Sequence, residues 1–179
     1  MQVRRIVTGH DANGKSVFVS DGAAPRARVA QHHPGFAETL VWSTARTPVI
    51  PTDGKDPTPA VTSYMAEPGG TRFLLVTFPP DSVAMSPDFD GAKAFDEHLK
   101  GSPGIADRME PDNPGMHATD TVDYVIVLDG EVWLELDDGN EVHLKKHDVV
   151  VQNGTRHAWR NKGTEPCQMV VCLIGAHRG

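Results

Sequence analysis

The chain has 179 residues, of which 39% are hydrophobic and 23% are charged. This length and balance suit one soluble globular domain and argue against disorder of the whole chain. The formal net charge of −7 disfavours nucleic acid and anionic membranes as partners.

The N-terminal stretch MQVRRIVTG lacks the apolar run of a signal peptide, and no run of about 18 apolar residues appears elsewhere. These features predict a cytoplasmic protein without a membrane span, and a trimmed secreted form stays open as an alternative. Cys167 and Cys172 are five residues apart in an apolar run, which would place them on opposite faces of a strand. We therefore expect two free thiols and no disulfide.

In the first third of the chain, short β-prone runs are separated by turn residues. Residues 4–8 and 16–20 flank Asn13-Gly14, a strong hairpin signal. Residues 39–43 and 71–78 are two further strand candidates.

Two long segments look irregular. Residues 44–70 carry five prolines and are predicted to be loop or edge structure. Residues 89–109 contain one predicted short helix over 91–99, where Ala92, Phe95 and Leu99 recur at helical spacing. Loops of this length are often pocket walls or lids, and simple surface wrapping is the alternative.

From Asp123 onward the β pattern is sharper. Turns are predicted at Asp129-Gly130 and at 137–140, and the strand candidates are 124–128, 131–136, 141–144, 149–152, 156–160 and 168–174. The pattern predicts one all-β domain, a barrel or jelly roll. Residues 1–110 would contribute an N-terminal strand extension, long loops and one short helix, and residues 111–179 the main motif region.

Three polar residues fall on odd-numbered positions of one segment. If the backbone is extended there, His117, Thr119 and Asp123 share a face, and His157 could approach from another strand. Imidazole and carboxylate ligands suit divalent Fe, Zn, Mn and Ni.

The same residues carry a family resemblance. Cupins have a first block reading His-x-His, three or four residues, Glu, six residues and Gly, and the stretch HATDTVDYVIVLDG is similar to it, from His117 to Gly130. Their second block ends Pro-x-Gly-x-x-His-x-x-x-Asn, which resembles QNGTRHAWRN in register at Gly154, His157 and Asn161. The two blocks cover about a quarter of the chain. The resemblance implies a single cupin jelly-roll β-barrel holding a metal and a small molecule.

The chain departs from the family pattern at the metal site. Thr119 replaces the second His, Asp123 replaces the Glu, and Gln152 replaces the Pro. One interpretation is a single divalent metal ion (Fe, Zn, Mn or Ni) held by His117, Asp123 and His157, with coordination positions open for substrate. The alternative is a decayed site in which Thr119 and His157 merely line a pocket.

The remaining aromatic and histidine residues are weaker candidates. Trp159 shares the parity of His157, so it could form a pocket wall or simply pack in the core, whereas Tyr124 is expected outside the barrel. The pair His32-His33 is expected to be solvated, and His98 is placed on the helix without a ligand role.

The resemblance implies a small-molecule enzyme, either a lyase (decarboxylase or dehydratase) or a non-haem metal oxygenase, acting on a small organic acid or carbonyl compound. The alternative is a cupin that binds a small ligand without turnover. No catalytic residue beyond the metal set is identified. A homodimer is expected, with residues 4–20 as a candidate dimerisation arm.

Overall fold

The computed structural model describes residues 3–179. It contains thirteen strands and one α-helix within that range. The strands are β1 (Arg4–His10), β2 (Ser16–Ala23), β3 (Arg26–Val29), β4 (Ala37–Thr44), β5 (Thr71–Phe78), β6 (Met109–Glu110), β7 (Asn113–His117), β8 (Thr121–Asp129), β9 (Glu131–Glu135), β10 (Glu141–Lys145), β11 (Val149–Asn153), β12 (Ala158–Arg160) and β13 (Cys167–Gly175), and the helix is α1 (Gly91–Gly101).

Antiparallel sheets dominate the architecture. Six strands form one sheet in the order β11-β8-β13-β5-β4-β3, and three strands form a second in the order β10-β9-β12. The short pair β6-β7 carries His117, and the pair β1-β2 forms a separate N-terminal hairpin. The predicted all-β jelly roll with an N-terminal strand extension and one short helix is confirmed.

Turn glycines at two predicted positions adopt the left-handed backbone that those turns require. Gly14 has φ +76° between β1 and β2, and Gly130 has φ +75° between β8 and β9. A residue with a Cβ is strained in this region. The local turn chemistry thus fixes where the chain reverses.

The core occupies the space between the sheets. Alternate residues of the central strands point inward, for example Val125, Val127 and Met169, all at most 1% exposed. A second cluster joins β4 and β5 to the loop before β5 and includes Leu40 and Tyr64. Because β8 places its odd-numbered residues inside, Asp123 faces the same interior as Val125.

Helix α1 begins at an N-cap where Asp90 accepts a hydrogen bond from Lys93 N at 3.0 Å. Its C-terminal half carries His98, whose Nε2 lies 3.0 Å from His33 Nδ1. The expectation that His33 is solvated is therefore wrong. Phe36 contacts both rings, with centroid distances of 5.5 Å to His33 and 4.5 Å to His98, because α1 covers this loop.

The His33–His98 pair predicts acid sensitivity. Burial lowers the pKa of both imidazoles, that of His98 to about 4. Because the pKa of His98 is lower in the folded state than the unfolded value of about 6.5, the unfolded state takes up a proton first. The free energy of unfolding is therefore highest above pH 6.5 and decreases as the pH falls toward 4. After a reduction for the partial exposure of the ring, we expect the titration of His98 to lower the free energy of unfolding by about 1.5 kcal/mol at pH 5 relative to pH 7.5.

Urea unfolding at both pH values checks this expectation. His98→Gln keeps a hydrogen-bonding side chain that does not titrate, so its stability should fall less between pH 7.5 and pH 5 than that of the wild type. His32→Gln changes an exposed neighbour and serves as the control. Equal losses in His98→Gln and the wild type would contradict the assignment.

Two further expectations concern the cysteines and the membrane. Both cysteines are free thiols, Cys167 buried and Cys172 partly buried, as expected from their opposite parity on β13. Among residues 3–179, no helix is both long enough and apolar enough to cross a membrane.

Candidate functional site

The site is built around a backbone contact between two histidines. His117 ends β7, and its backbone N and O exchange hydrogen bonds of 2.9 Å with those of His157. This bridge brings the two rings to a centroid distance of 4.4 Å at an interplanar angle of 48°. The two histidines that the sequence predicts to meet therefore lie side by side.

Each imidazole is oriented by a carbonyl two residues earlier in the chain. Nδ1 of His117 lies 2.9 Å from Gly115 O, and Nδ1 of His157 lies 2.9 Å from Thr155 O. A carbonyl only accepts, so Nδ1 must carry the proton and Nε2 keeps its lone pair. The sequence analysis did not identify Gly115 and Thr155, because a backbone carbonyl leaves no signature in side-chain identity.

Burial keeps both rings neutral. His117 is 8% exposed and His157 is 3% exposed. Burial lowers the pKa of His117, and burial together with the nearby His117 charge lowers the pKa of His157 to about 4. Near neutral pH both rings are thus unprotonated at Nε2, which is the form that ligates a metal.

Asp123 is the buried carboxylate nearest to this pair in sequence. It lies on β8, is 4% exposed, and its Oδ1 is buried without a hydrogen-bond partner among residues 3–179. Burial raises the pKa of this carboxyl to about 6. A buried carboxylate oxygen without a donor is costly, so a bound cation would stabilise it.

The structure does not place Asp123 as a third ligand beside the histidines. Within the described residues, no group of three or more His, Cys, Asp or Glu side chains lies close enough to hold a metal ion. Residues 117–123 do not form one strand, as the parity argument assumed, because β7 ends at His117 and β8 begins at Thr121.

The predicted pocket residues are Thr119 and Trp159, and both are at least partly buried. Thr119 is 2% exposed and accepts a hydrogen bond of 2.8 Å from the Thr121 hydroxyl. Trp159 is half-buried, packs against the core around β8 and β9, and meets the His157 ring edge-on at 5.7 Å. Tyr124 is 50% exposed on the outer face, as its parity predicts.

A glycine and an arginine join the two loops of the site. Gly154 has φ +61°, and a Cβ there would lie 3.1 Å from Thr119 O. Arg178 donates to Thr119 O at 3.1 Å and to Gly154 O at 3.4 Å, while its Nε donates to Asp120 at 2.6 Å. Sequence reasoning missed Arg178, because this contact joins positions 24 and 59 residues apart.

Comparisons with known proteins agree with this architecture. A family model described as "Cupin domain" matches residues 108–173. "Phomopsin biosynthesis cluster protein C'" of Diaporthe leptostromiformis is 34% identical over 159 residues, which cover 88% of this chain and 70% of that protein. "Cupin-domain-containing oxidoreductase fogC" of Aspergillus ruber is 29% identical over 181 residues, covering 97% and 72%.

Among solved structures, a putative ethanolamine utilization protein from Salmonella typhimurium aligns over 99% of both chains, with a TM-score of 0.43 and 10% identity. The family model and the sequence relatives carry the assignment, since the relatives extend over most of the chain at up to 34% identity and one of them is named for its cupin domain. The chain belongs to the cupin superfamily.

Proposed function

We propose that this cupin is a metal-dependent enzyme acting on a small organic acid or carbonyl compound, with one divalent ion held by His117, Asp123 and His157. The observation that carries the proposal is the pair of buried neutral imidazoles, each with Nδ1 bonded to a carbonyl and Nε2 free. This arrangement is the usual second coordination shell of a metal-binding histidine.

The chemistry of the donor set suits several ions, and a bound ion would have to draw Asp123 toward the two imidazoles, since the three side chains do not form a close group. Two imidazoles and one carboxylate suit Fe, Zn, Mn or Ni and leave coordination positions open. The buried Oδ1 of Asp123 without a donor supports its place in the set. When bound, the metal would polarise a substrate oxygen or activate O₂ or water.

The protein's own residues would position the small molecule. Thr119 is buried with its hydroxyl accepting from Thr121, so its own proton is free for donation to a polar ligand atom. Trp159 supplies an apolar edge beside His157. Relatives at 27–29% identity carry the name "cupin-domain-containing oxidoreductase", which favours redox chemistry over a lyase reaction.

A second candidate function is a cupin that binds a small ligand without turnover and without metal. It is favoured by the finding that the described residues contain no cluster of three metal-binding side chains. Thr119 and His157 would then line a ligand pocket.

Metal content decides between the two. We expect protein purified without a histidine tag, after incubation with Fe, Zn, Mn or Ni, to hold about one equivalent of one of them by mass spectrometry. His157→Ala should lose it, because one of two imidazole ligands is removed. His10→Ala, at an exposed position of β1, is the matched control and should retain it.

Asp123→Asn tests the third ligand separately. The amide keeps the size of the side chain but not its charge, so we expect at least a tenfold weaker metal affinity. Unchanged affinity would remove Asp123 from the site. Little metal in the wild type after every reconstitution would favour the metal-free binding protein.

We further propose that the cupin is a homodimer formed through the outer face of the six-stranded sheet. Two rows of paired residues run across four strands of this face without any charged side chain. The rows are Val151–Tyr124–Cys172–Phe73 and Val149–Ile126–Val170–Leu75. Val149 is 64% exposed and Val151 is 56% exposed, so the face is an apolar patch of the kind that marks protein interfaces.

The N-terminal hairpin supplies a complementary surface. The Arg5 guanidinium lies over the Trp42 ring at 5.4 Å, which places the base of the hairpin beside its own sheet. Val17 and Val19 are 36% and 42% exposed. A second copy related by a two-fold axis would cover both surfaces.

Light scattering checks the dimer. The wild type is expected at twice the chain mass, and Val151→Glu should be monomeric because it buries a charge in the interface. Val142→Glu alters a valine that is 60% exposed on the other sheet and should remain dimeric. A monomeric wild type would rule the arrangement out.

A further inference from the structure

A cleft separate from the histidine pair opens between β3, β4, the end of α1 and the loop before β5. Its volume is about 250 Å³, and its eight lining residues include Arg26, Arg28, Glu38, Tyr64 and Lys100. None of His117, Asp123 and His157 is among them.

The register of the large sheet shows how far apart the two sites are. Asp123 on β8 pairs with Leu173, whereas Glu38 on β4 pairs with Val76, whose own partner is Met169. Strands β8 and β4 are three strand spacings apart, which is about 14 Å across the sheet. The two carboxylates are also offset by four residues along the strand direction, which is about 13 Å. The cleft is therefore a distinct site.

A polar network forms the floor of the cleft. Glu38 is 4% exposed, and its Oε1 accepts from Arg28 Nη2 at 3.1 Å and from the Tyr64 hydroxyl at 3.2 Å. Its Oε2 accepts from the Ser102 hydroxyl at 2.8 Å. Because these donors satisfy the carboxylate, the charges of Glu38 and Arg28 neutralise each other inside the protein.

Two other cations at the cleft have no such compensation. Arg26 Nη1 donates to Thr58 O at 3.2 Å and to Val61 O at 2.7 Å, and these carbonyls hold its position without neutralising its charge. Lys100 lies on the last turn of α1, at the rim. Neither forms a salt bridge with an acidic side chain in the range 3–179 that the structure covers. Arg28 also lies 4.0 Å from the Glu97 carboxylate. The three cations Arg26, Arg28 and Lys100 still outnumber the carboxylates of Glu38 and Glu97, so this concave surface carries a net positive charge in a chain whose net charge is −7.

We propose that this cleft binds a small anion bearing a carboxylate or phosphate group, through Arg26 and Lys100. The space corresponds to about eight water molecules, which is enough for inorganic phosphate or a short dicarboxylate. Arg26 is already fixed by two carbonyls, so little side-chain entropy is lost when an anion binds. This site does not depend on the proposed metal chemistry.

Calorimetric titration of metal-free protein tests the proposal with two anions, inorganic phosphate and succinate. We expect saturable binding of at least one, weakened about fivefold in Lys100→Gln and about tenfold or more in Arg26→Gln. Lys93→Gln is the matched control, since Lys93 is an exposed lysine on the first turn of the same helix and pairs with Asp90. It should bind like the wild type.

The two titrations also identify the class of anion. Stronger binding of succinate would mark a carboxylate site, and stronger binding of phosphate a phosphate site. No saturable binding of either anion, or equal weakening in Lys93→Gln and Lys100→Gln, would overturn the proposal. Lys100 is exposed, so its variant remains folded and informative even where Arg26→Gln does not fold.

Discussion

Replacing Gly130 with alanine is expected to lower the free energy of unfolding by about 3 kcal/mol. Gly130 has φ +75°, and an added Cβ would lie 2.5 Å from Pro166 O and 3.0 Å from Cys167 Cα. Both of these atoms belong to the backbone, so neither can rotate away. The substitution combines backbone strain with overpacking at the junction of the two sheets.

Gly139→Ala separates these two effects. Gly139 has φ +69° in the turn between β9 and β10, and no atom lies within 4 Å of the position of an added Cβ. This control carries the backbone strain alone, about 1 kcal/mol. Urea unfolding of both variants beside the wild type measures the difference, and equal losses would show that the chain around Pro166 moves away freely.

Gly130 also shows which structural features can be predicted from the sequence and which cannot. The Asp129-Gly130 turn is predictable because turn chemistry is local and depends on two adjacent residues. The contact with Pro166 is not predictable in this way, because it depends on where a segment 36 residues later crosses the turn. The family resemblance marks the glycine, and the structure supplies the physical reason.

The proposed metal site, too, could be predicted from the sequence only in part. Parity on strands and motif spacing predicted that His117 and His157 would meet and that Asp123 would face the interior. The spacing could not indicate that the chain leaves the extended conformation between β7 and β8. Nor could it indicate the carbonyls of Gly115 and Thr155, which set the tautomer of each ring.

The anion cleft was not predicted at all. Glu38 is the one charged residue in the run Ala-Glu-Thr-Leu-Val-Trp, and a lone charge in an apolar strand is a signal that sequence reading could have used. Its partners Arg28, Tyr64 and Ser102 come from three other segments. Only the packing of α1 and the loop before β5 against β4 brings them together.

Asn161→Ala is expected to cost about 2 kcal/mol of stability. Asn161 is 1% exposed, and its Nδ2 donates to Phe78 O at 3.1 Å and to Glu165 O at 2.8 Å, while its Oδ1 accepts from Gly163 N at 3.1 Å. Alanine leaves three backbone groups without this partner, and a buried polar group without a hydrogen bond costs more than the bond itself contributes. The asparagine thus ties the loop after β12 to the end of β5.

Asn140→Ala is the matched control, because the Asn140 side chain makes one hydrogen bond, of 2.9 Å from its Nδ2 to Asp137 O, at an exposed turn. We expect a loss of about 0.5 kcal/mol there. Asn161→Asp adds a further test, since it keeps the acceptor for Gly163 N but replaces the amide donor with an oxygen facing two carbonyls. It should be no more stable than Asn161→Ala. An Asn161→Ala variant as stable as Asn140→Ala would mean that water replaces the amide, and that the final residue of the motif does not hold this loop.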